Sequence, residues 1–257
     1  MTKNELQERV ATLGYGYHLP ETKVMLGLAC QDQRRDTVRE ACIKQWPQAS
    51  ATNKEKMWSH LSRRFLEVDG DKIIVTPFLQ MYGGLKREQE KLDLIFYQLC
   101  QSTPLLLAVL RSLAKDKLLD TGTASFTKFH LDQILESHFG HVTRSTSERV
   151  RQILRESGRL RQDGPSYLAT GSCPSDAVLG FGIYADANHH GWRAPSTAVI
   201  LLDSDVTAAF LCTRPLLIGG IDRLARQGHC DYHTHGTTDQ VQLVYTSLQE
   251  FVNAWLS

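Results

Sequence analysis

A run of arginines at helical spacing, within residues 143–158, is the feature of this sequence with the clearest chemistry. Val150, Ile153 and Leu154 recur at steps of three and four, which predicts the buried stripe of an amphipathic helix. The polar residues that we expect on the outer stripe are Arg144, Ser145, Ser147, Glu148, Arg151 and Arg155. Guanidinium groups bind phosphate, and the O6 and N7 atoms of guanine, in a forked geometry. The pattern therefore predicts a helix whose outer face contacts DNA.

Signals for the start and the end of this helix surround the arginines. Thr143 and the serines after it are typical of a helix start, where hydroxyl and free backbone N–H groups can bind a phosphate. Gly158 is typical of a helix end. Residues 159–168 then predict a short hairpin, and Arg159 and Arg161 would carry charge at its base. The whole of residues 143–168 reads as a basic helix followed by a wing.

An earlier segment has the same plan. Met57, Leu61 and Phe65 recur at every fourth residue and predict the buried face of a helix that begins at residue 52 or 53. The polar residues expected on its outer side are Asn53, Lys54, Lys56, His60, Arg63 and Arg64. A glycine turn and a β-branched run at residues 68–75 follow and predict a strand and a small wing.

These segments lie in a chain that reads as helices broken by short β pieces. We therefore predict a mainly α fold with small β wings, built from tandem winged-helix or helix-turn-helix units. Residues 1–84 would form a first winged-helix-like unit, and residues 85–170 a second one that carries the basic reader helix. Residues 171–257 would form an acidic α/β unit whose last helix and hairpin also suit a winged helix.

Three local predictions are less specific than the basic helices. Leucines and prolines predict a helix over residues 105–119, and residues 125–127 read as the start of a helix that ends at residue 139. The apolar run at residues 198–202 predicts a strand.

The charge distribution is uneven along the chain. The formal net charge is only +1, but residues 1–162 hold 25 of the 29 lysines and arginines, whereas residues 163–257 hold 4 against 9 acidic residues. This asymmetry favours a basic working face in the first two-thirds. Apolar runs are too short to span a bilayer and the first residues lack a signal-peptide core, so we expect a cytoplasmic protein with no membrane contact. None of the six cysteines forms a C-x-x-C pair, and we expect them to act as small hydrophobic residues.

Residues 21–26 (ETKVML) and above all residues 145–158 (STSERVRQILRESG) resemble the BrxA-type proteins of bacterial BREX phage-defence systems. The resemblance extends over roughly residues 15–170. It implies a small DNA-binding protein of helix-turn-helix or winged-helix parts, with double-stranded DNA as its partner. It also implies that this chain is not an enzyme, and that it works with other defence-system proteins as an accessory or regulatory component.

Other functions are weaker alternatives. His229, Cys230, His233 and His235 are competent zinc ligands, but Cys230 would face away from His233 and His235 on a strand, so we expect a polar hairpin with neither metal nor cofactor. A protein-interaction scaffold that docks a partner enzyme is the alternative function. A metal-dependent nuclease comes third, because Asp203 and Asp205 have no lysine in the same half of the chain. Gly180 and Gly182 lack the rest of a dinucleotide-binding loop.

Overall fold

The structure, a computed structural model, describes residues 16–115, 122–235 and 238–257. Over these residues the protein is mainly helical and contains three small antiparallel sheets. The predicted class of a mainly α fold with small β elements is confirmed.

The first part of the chain forms three helices and a hairpin. These elements are α1 (Leu19–Ala29), α2 (Arg35–Gln45), α3 (Ala51–Phe65), β1 (Glu67–Asp69) and β2 (Lys72–Ile74). The residues between α1 and α2 run beside β2, because Arg34 forms a β-bridge with Lys72 and the Ile73 amide donates to the Gln33 carbonyl at 2.7 Å. Two further helices follow, α4 (Pro77–Gly84) and α5 (Glu88–Ser102).

The same order of elements recurs in the middle of the chain. The elements are α6 (Pro104–Leu113), β3 (Thr123–Thr127), α7 (Lys128–Phe139), α8 (Arg144–Glu156), β4 (Leu160–Asp163) and β5 (Ser166–Thr170). The strand order is β3-β5-β4. The second hairpin strand, β5, therefore lies beside β3, which precedes α7, just as β2 lies beside the extended residues that precede α2.

The last part repeats the order with one helix split in two. Its elements are α9 (Asp176–His190), α10 (Thr197–Asp203), α11 (Asp205–Ala209), α12 (Arg214–Arg226), β6 (Cys230–His235), β7 (Thr238–Leu243) and α13 (Leu248–Leu256). The amides of Val241 and Leu243 on β7 donate to the carbonyls of Pro195 and Arg193, so an extended segment again lies beside the second hairpin strand. We refer to the three repeats as the first, second and third units.

The predicted start and end signals of α8 are confirmed. The Thr143 hydroxyl accepts a hydrogen bond from the Thr146 amide at 3.3 Å. Gly158 has a positive φ of 74°, and the Arg159 amide donates to the Leu154 carbonyl at 2.8 Å, which closes the last turn. The helix α12 ends in the same way, because Gly228 has a φ of 77° and the His229 amide donates to the Leu224 carbonyl. Corresponding helices in the two units thus share one stop signal.

Two local predictions were wrong. Residues 198–202 lie in α10 and not in a strand, because a short apolar run does not distinguish the two, and the Ser196 hydroxyl caps the helix by accepting from the Val199 amide. Residues 125–127 end β3, which pairs with β5, and Thr127 caps α7. The helix expected over residues 105–119 is observed as α6, while residues 116–121 lie outside the described ranges.

The buried residues of all three units form one continuous hydrophobic core. Helix α5 lies at its centre and packs against α3, α6, α9 and α11. Its residues Phe96 and Tyr97 are almost completely buried and make edge-to-face ring contacts with Phe210 and Phe181 of the third unit. Aromatic rings at this helix therefore join the third unit to the rest of the molecule.

In the part of the chain that the structure describes, no individual helix has both the length and the apolar character to cross a membrane. Together α5 and α6 would meet those criteria, but they are bent by 105° at the residue between them.

Gly180 and Gly182 allow close packing of α9. A Cβ at position 182 would lie 2.7 Å from both γ-methyl groups of Val206 on α11, and one at position 180 would lie 2.5 Å from Cζ of Phe251 on α13. Both glycines are buried. They are therefore packing positions where two helices approach α9.

We predict that Gly182→Ala lowers the free energy of unfolding by about 1–3 kcal/mol, because the methyl group overpacks the contact with Val206. Urea denaturation followed by circular dichroism measures this change. Gly219→Ala is the matched control, because its Cβ would meet only Arg223 Nη1 at 3.6 Å. Equal losses of stability in the two variants would contradict the packing role of Gly182.

Candidate nucleic-acid interface

Four of the six residues predicted on the outer face of α8 lie there, and Glu148 is one of them. Arg144, Ser145 and Arg155 are exposed. The Arg144 side chain is 83% exposed, and its Nε donates to Glu148 Oε1 at 2.8 Å. Gln152 and Glu156 complete the exposed stripe. Two arginines and two glutamates therefore share this surface, and its charge is balanced.

Ser147 and Arg151 do not face outward, and their predicted orientation was wrong. Arg151 is only 5% exposed, and its Nη1 donates to Asp132 Oδ1 at 2.7 Å and to the Ser147 hydroxyl at 2.5 Å. The Ser147 hydroxyl donates to the same Asp132 carboxylate. Because Asp132 lies on α7, this cluster joins the second helix of the unit to the third. Pairing with a carboxylate makes the burial of this guanidinium tolerable.

Arg159 also differs from its predicted role as a charge on the wing. Its guanidinium lies 5.3 Å from the ring centre of Phe96 and 4.6 Å from that of Phe210, and it donates to the Ser172 hydroxyl. Burial lowers the pKa of Arg159. This side chain belongs to the contact between the units, whereas Arg161, two residues later on β4, is exposed.

On α3 the predicted outer residues divide in the same way. Lys56 and Arg63 are exposed, as predicted. Lys54 is partly buried, and its Nζ donates to the Ile43 carbonyl at 2.7 Å. Arg64 is 5% exposed, and its Nη1 donates to the Gly16 carbonyl at 3.3 Å. The outward orientation predicted for Lys54 and Arg64 was therefore wrong.

Arg64 is a buried cation held by backbone. Burial lowers its pKa to about 10. Arg63 and Arg64 both lie in the last turn of α3, and their rotation about the helix axis separates the exposed side chain from the buried one. Arg64 follows the apolar Met57 by seven residues, a spacing that places both on the same face of a helix. This spacing is the signal in the sequence that could have identified Arg64 as buried.

The outer stripe that remains on α3 has no carboxylate. It consists of Thr52, Asn53, Lys56, Ser59, His60 and Arg63, of which Thr52, Asn53, Lys56 and Arg63 are exposed. We call these six residues the α3 stripe. Arg63 Nη2 donates to the Ser59 hydroxyl at 3.0 Å, so it is supported by a neutral partner. Unlike the outer face of α8, the α3 stripe itself contains no acidic residue, and the neighbouring Glu55 of α3 is paired with Arg39 of α2.

Residues 16–18 lie between α3 and α8. Arg64 of α3 donates to the Gly16 carbonyl, and Arg149 of α8 packs so closely that a Cβ on Gly16 would lie 3.2 Å from its Nη1. Burial lowers the pKa of His18, and the positive charges of Arg149 and Arg64 act in the same direction, against Glu21. The sequence pattern missed Arg149, which is half-buried at the edge of α8 facing this segment. The two basic helices thus border one short stretch of backbone.

The third unit presents its cations differently. The exposed arginines of α12 are each near a carboxylate: Arg214 Nη2 lies 3.7 Å from Asp239, Arg223 Nε 2.8 Å from Asp176 and Arg226 Nη2 2.5 Å from Asp222. The sequence signal for this difference was the acidic balance of residues 163–257. These pairs leave α12 a less favourable surface for phosphate than the α3 stripe.

The histidines of the last hairpin do not converge on one point. Cys230 is buried, with its thiol near the Ile221 carbonyl, whereas His233 and His235 are exposed. His229 packs against the ring of Trp255 at 4.7 Å. The predicted separation of Cys230 from His233 and His235 is confirmed. Over residues 16–115, 122–235 and 238–257, no three His, Cys, Asp or Glu side chains are grouped so that they could hold a metal ion.

Over the described residues, these observations define a mainly helical protein with small sheets and a basic face on α3. No family model matches the chain, and no curated protein matches it in sequence. Two solved structures have a similar fold, a crystal structure of SspB and a crystal structure of magnesium ion-bound SspB. Their TM-scores are 0.63 and 0.62, their sequence identities are 15% and 14%, and each match covers 96% of this chain and 85% of the other. At such identities the similarity shows the fold alone.

A buried carboxyl group lies beside the first unit in a cavity of about 460 Å³, whose lining includes Arg63, Tyr97 and Asp186. Asp186 on α9 accepts hydrogen bonds from the Ser204 hydroxyl and from the Asp205 amide at 3.0 Å. Burial raises the pKa of Asp186 to about 7, and the neighbouring Asp205 carboxylate acts in the same direction.

We predict that Arg151→Ala lowers the free energy of unfolding by about 2–4 kcal/mol, because it leaves the Asp132 carboxylate and the buried Ser147 hydroxyl without their cation. Arg155→Ala, on the exposed side of the same helix, should change stability by no more than about 0.5 kcal/mol. Urea titrations of the two variants measure the difference. The assigned burial of Arg151 is refuted if both variants are as stable as the parent protein.

The second prediction for this region concerns pH. Folded Asp186 keeps its proton up to about pH 7, whereas the unfolded residue loses it near pH 4, so its contribution to stability is present at low pH and is lost as the pH rises to 7. Asp186→Asn removes this dependence. The free energy of unfolding of the variant minus that of the parent should therefore be about 2–3 kcal/mol larger at pH 8 than at pH 5. Urea melts of both proteins at these two pH values provide the comparison, and an unchanged difference would contradict the raised pKa.

Proposed function

We propose that this protein binds double-stranded DNA through the α3 stripe, with the exposed arginines of α8 beside it, and that its three units are winged helices. The order of helix, extended segment, helix, helix and hairpin recurs in each unit, and the second hairpin strand lies next to the extended segment each time. In helix-turn-helix proteins the helix before the hairpin is the one that enters the major groove. That helix is α3 in the first unit and α8 in the second unit.

The observation that carries this proposal is the absence of carboxylates from the α3 stripe. Lys56 and Arg63 are seven residues apart, which places them on one face about 10 Å from each other along the helix axis. DNA presents closely spaced phosphates beside a major groove that admits one helix. Asn53, at the start of α3, has an amide that can pair with the N6 and N7 atoms of adenine.

We assign α8 a secondary part. Arg144 would have to exchange Glu148 for a phosphate, and an ion pair this exposed to solvent is weak enough to be exchanged. Arg155 and the Ser145 hydroxyl are exposed near it and could add phosphate contacts. The buried Arg64 and Arg151 and the half-buried Arg159 position the helices and are not DNA contacts in this proposal.

The biological role we infer is that of an accessory or regulatory component of a bacterial phage-defence system, working in the cytoplasm with other defence proteins and without catalysis by this chain. The resemblance of residues 21–26 and 145–158 to BrxA-type proteins supports this inference. The proposal involves no metal. Because one structural neighbour is magnesium ion-bound SspB, the binding experiment includes samples with and without magnesium.

We predict that Lys56→Ala/Arg63→Ala weakens binding to a labelled duplex and lowers the slope of log K against log salt by about 2, because two phosphate contacts are removed. Fluorescence anisotropy at several salt concentrations between about 50 and 200 mM measures both quantities. Arg144→Ala/Arg155→Ala tests the secondary part of α8, with a smaller expected loss.

Arg214→Ala/Arg226→Ala is the matched control, because it removes the same charge from exposed positions of α12 that already face carboxylates. Its affinity should equal that of the parent protein. If the control variant loses as much affinity as the α3 variant, net charge and not the α3 stripe determines binding. Failure of the parent protein to bind duplex DNA at low salt would refute the proposed function and favour the scaffold alternative.

A further inference from the structure

We propose that Cys173 and Cys212 are an oxidant-sensitive pair of thiols that closes to a disulfide between the segment leaving β5 and the turn before α12. This inference is independent of DNA binding. It depends on two cysteines that are far apart in sequence and adjacent in the fold. The Cys212 thiol has two acceptors beside it, the Cys173 sulfur and the Thr213 carbonyl, the latter at 3.6 Å.

The backbone brings these cysteines together. The Ser172 amide and hydroxyl both donate to the Phe210 carbonyl, at 3.1 and 3.2 Å. Next to them Gly171 lies so close to the Leu211 carbonyl that a Cβ at position 171 would be 2.6 Å from its oxygen. The segments before Cys173 and before Cys212 therefore run against each other, and they are held by hydrogen bonds that do not involve either thiol.

The surroundings of Cys173 suit a nucleophilic thiolate. The Arg223 guanidinium also bonds to the Cys173 sulfur, and Arg223 is itself held by Asp176 through its Nε at 2.8 Å. The absence of a side chain at Gly220 leaves room for the sulfur, because a Cβ there would lie 3.1 Å from it. Cys173 is half-buried, whereas Cys212 is 1% exposed. Of these two thiols, Cys173 is thus the one that an oxidant reaches first.

The charge state of the six thiols supports this assignment. The hydrogen bond from Cys212, with the nearby Arg223, lowers the pKa of Cys173. Burial raises the pKa of Cys30, Cys42, Cys100 and Cys230, and donation to Cys173 raises that of Cys212. Reactivity towards oxidants follows the thiolate fraction and access to solvent.

The reaction needs a hydroperoxide as oxidant. The Cys173 thiolate attacks one peroxide oxygen, the O–O bond breaks, and the sulfur becomes a sulfenic acid while the other oxygen leaves as water after taking a proton. The Cys212 sulfur then attacks the Cys173 sulfur, the S–O bond breaks, and the hydroxide that leaves takes the Cys212 proton. In total, two thiols and one hydrogen peroxide give one disulfide and two waters.

The disulfide would fasten the junction between the second and third units. The hydroxyl of Ser172, beside Cys173, accepts a hydrogen bond from the guanidinium of Arg159, which follows α8. The ring of Phe210, two residues before Cys212, packs on that guanidinium. A covalent link here would hold the third unit in its position against the second. We therefore expect oxidation to raise the melting temperature of the whole chain.

The test is a non-reducing peptide map of the full chain after treatment with hydrogen peroxide. Trypsin cleavage after Arg161, Arg193 and Arg223 places the two cysteines on different peptides. We expect one linked pair of these peptides that dithiothreitol separates, a loss of two titratable thiols and a higher melting temperature. Two free cysteines after peroxide treatment, or linkage through other cysteines instead, would overturn the proposal.

Two variants test the assigned parts. Cys173→Ser should lose both the linked peptides and the rise in melting temperature on oxidation. In the Arg223→Gln variant, the Cys173 thiol should react several-fold more slowly with iodoacetamide at neutral pH, because the cation beside the thiolate is removed. In Arg226→Gln, on the next turn, Cys173 should react as in the parent protein. Equal rates for the two arginine variants would refute the activation of Cys173 by Arg223.

Discussion

The packing of the second unit against α5 and the third unit depends on one half-buried cation. Arg159 follows the last turn of α8, and its guanidinium lies against the rings of Phe96 on α5 and Phe210 at the end of α11. These rings are in edge-to-face contact at 5.9 Å, and Tyr17 packs on the other side of Phe96 at 6.2 Å. A cation buried against aromatic faces is stabilised by their negative electrostatic potential, and here it compensates in part for lost hydration. One side chain thus connects the second unit to α5 and to the third unit.

Buried arginines recur at the joints of this fold. Arg151 joins α8 to α7 through Asp132, and Arg64 joins α3 to the backbone before α1. Each has a long apolar stem that packs in the interior and a planar head that reaches several acceptors, which suits it to fix the angle between elements. The positive charge of the first two units is therefore partly structural. The exposed basic surface is therefore smaller than the composition implies.

The two proposals concern separate places in the molecule. The α3 stripe lies on the first unit, and the pair of Cys173 and Cys212 lies where the second unit passes into the third. Because the core is continuous, a covalent link at this junction would fix how the units sit relative to each other without altering the α3 stripe itself.

Local signals in the sequence were enough to determine where most helices lie and where α8 begins and ends. Thr143 and Gly158 act on groups within a few residues, so their effect does not depend on the rest of the fold. The same holds for the buried stripe of Val150, Ile153 and Leu154. Residues 198–202 show the limit, because an apolar run of five residues is compatible with either a strand or a helix until its packing partners are known.

Only the tertiary structure decided which arginines are available for binding. Arg151 and Arg155 are one turn apart and equivalent in sequence, yet the first is buried and the second is exposed. The difference arises from Asp132, a carboxylate on another helix that only folding brings next to Arg151. The arginine-rich stretch that pointed to α8 as the reader helix is thereby reduced to Arg144 and Arg155, and the α3 stripe takes the leading place. The sequence by itself determined the helices and their charges, and the contacts between helices determined which charges face the solvent.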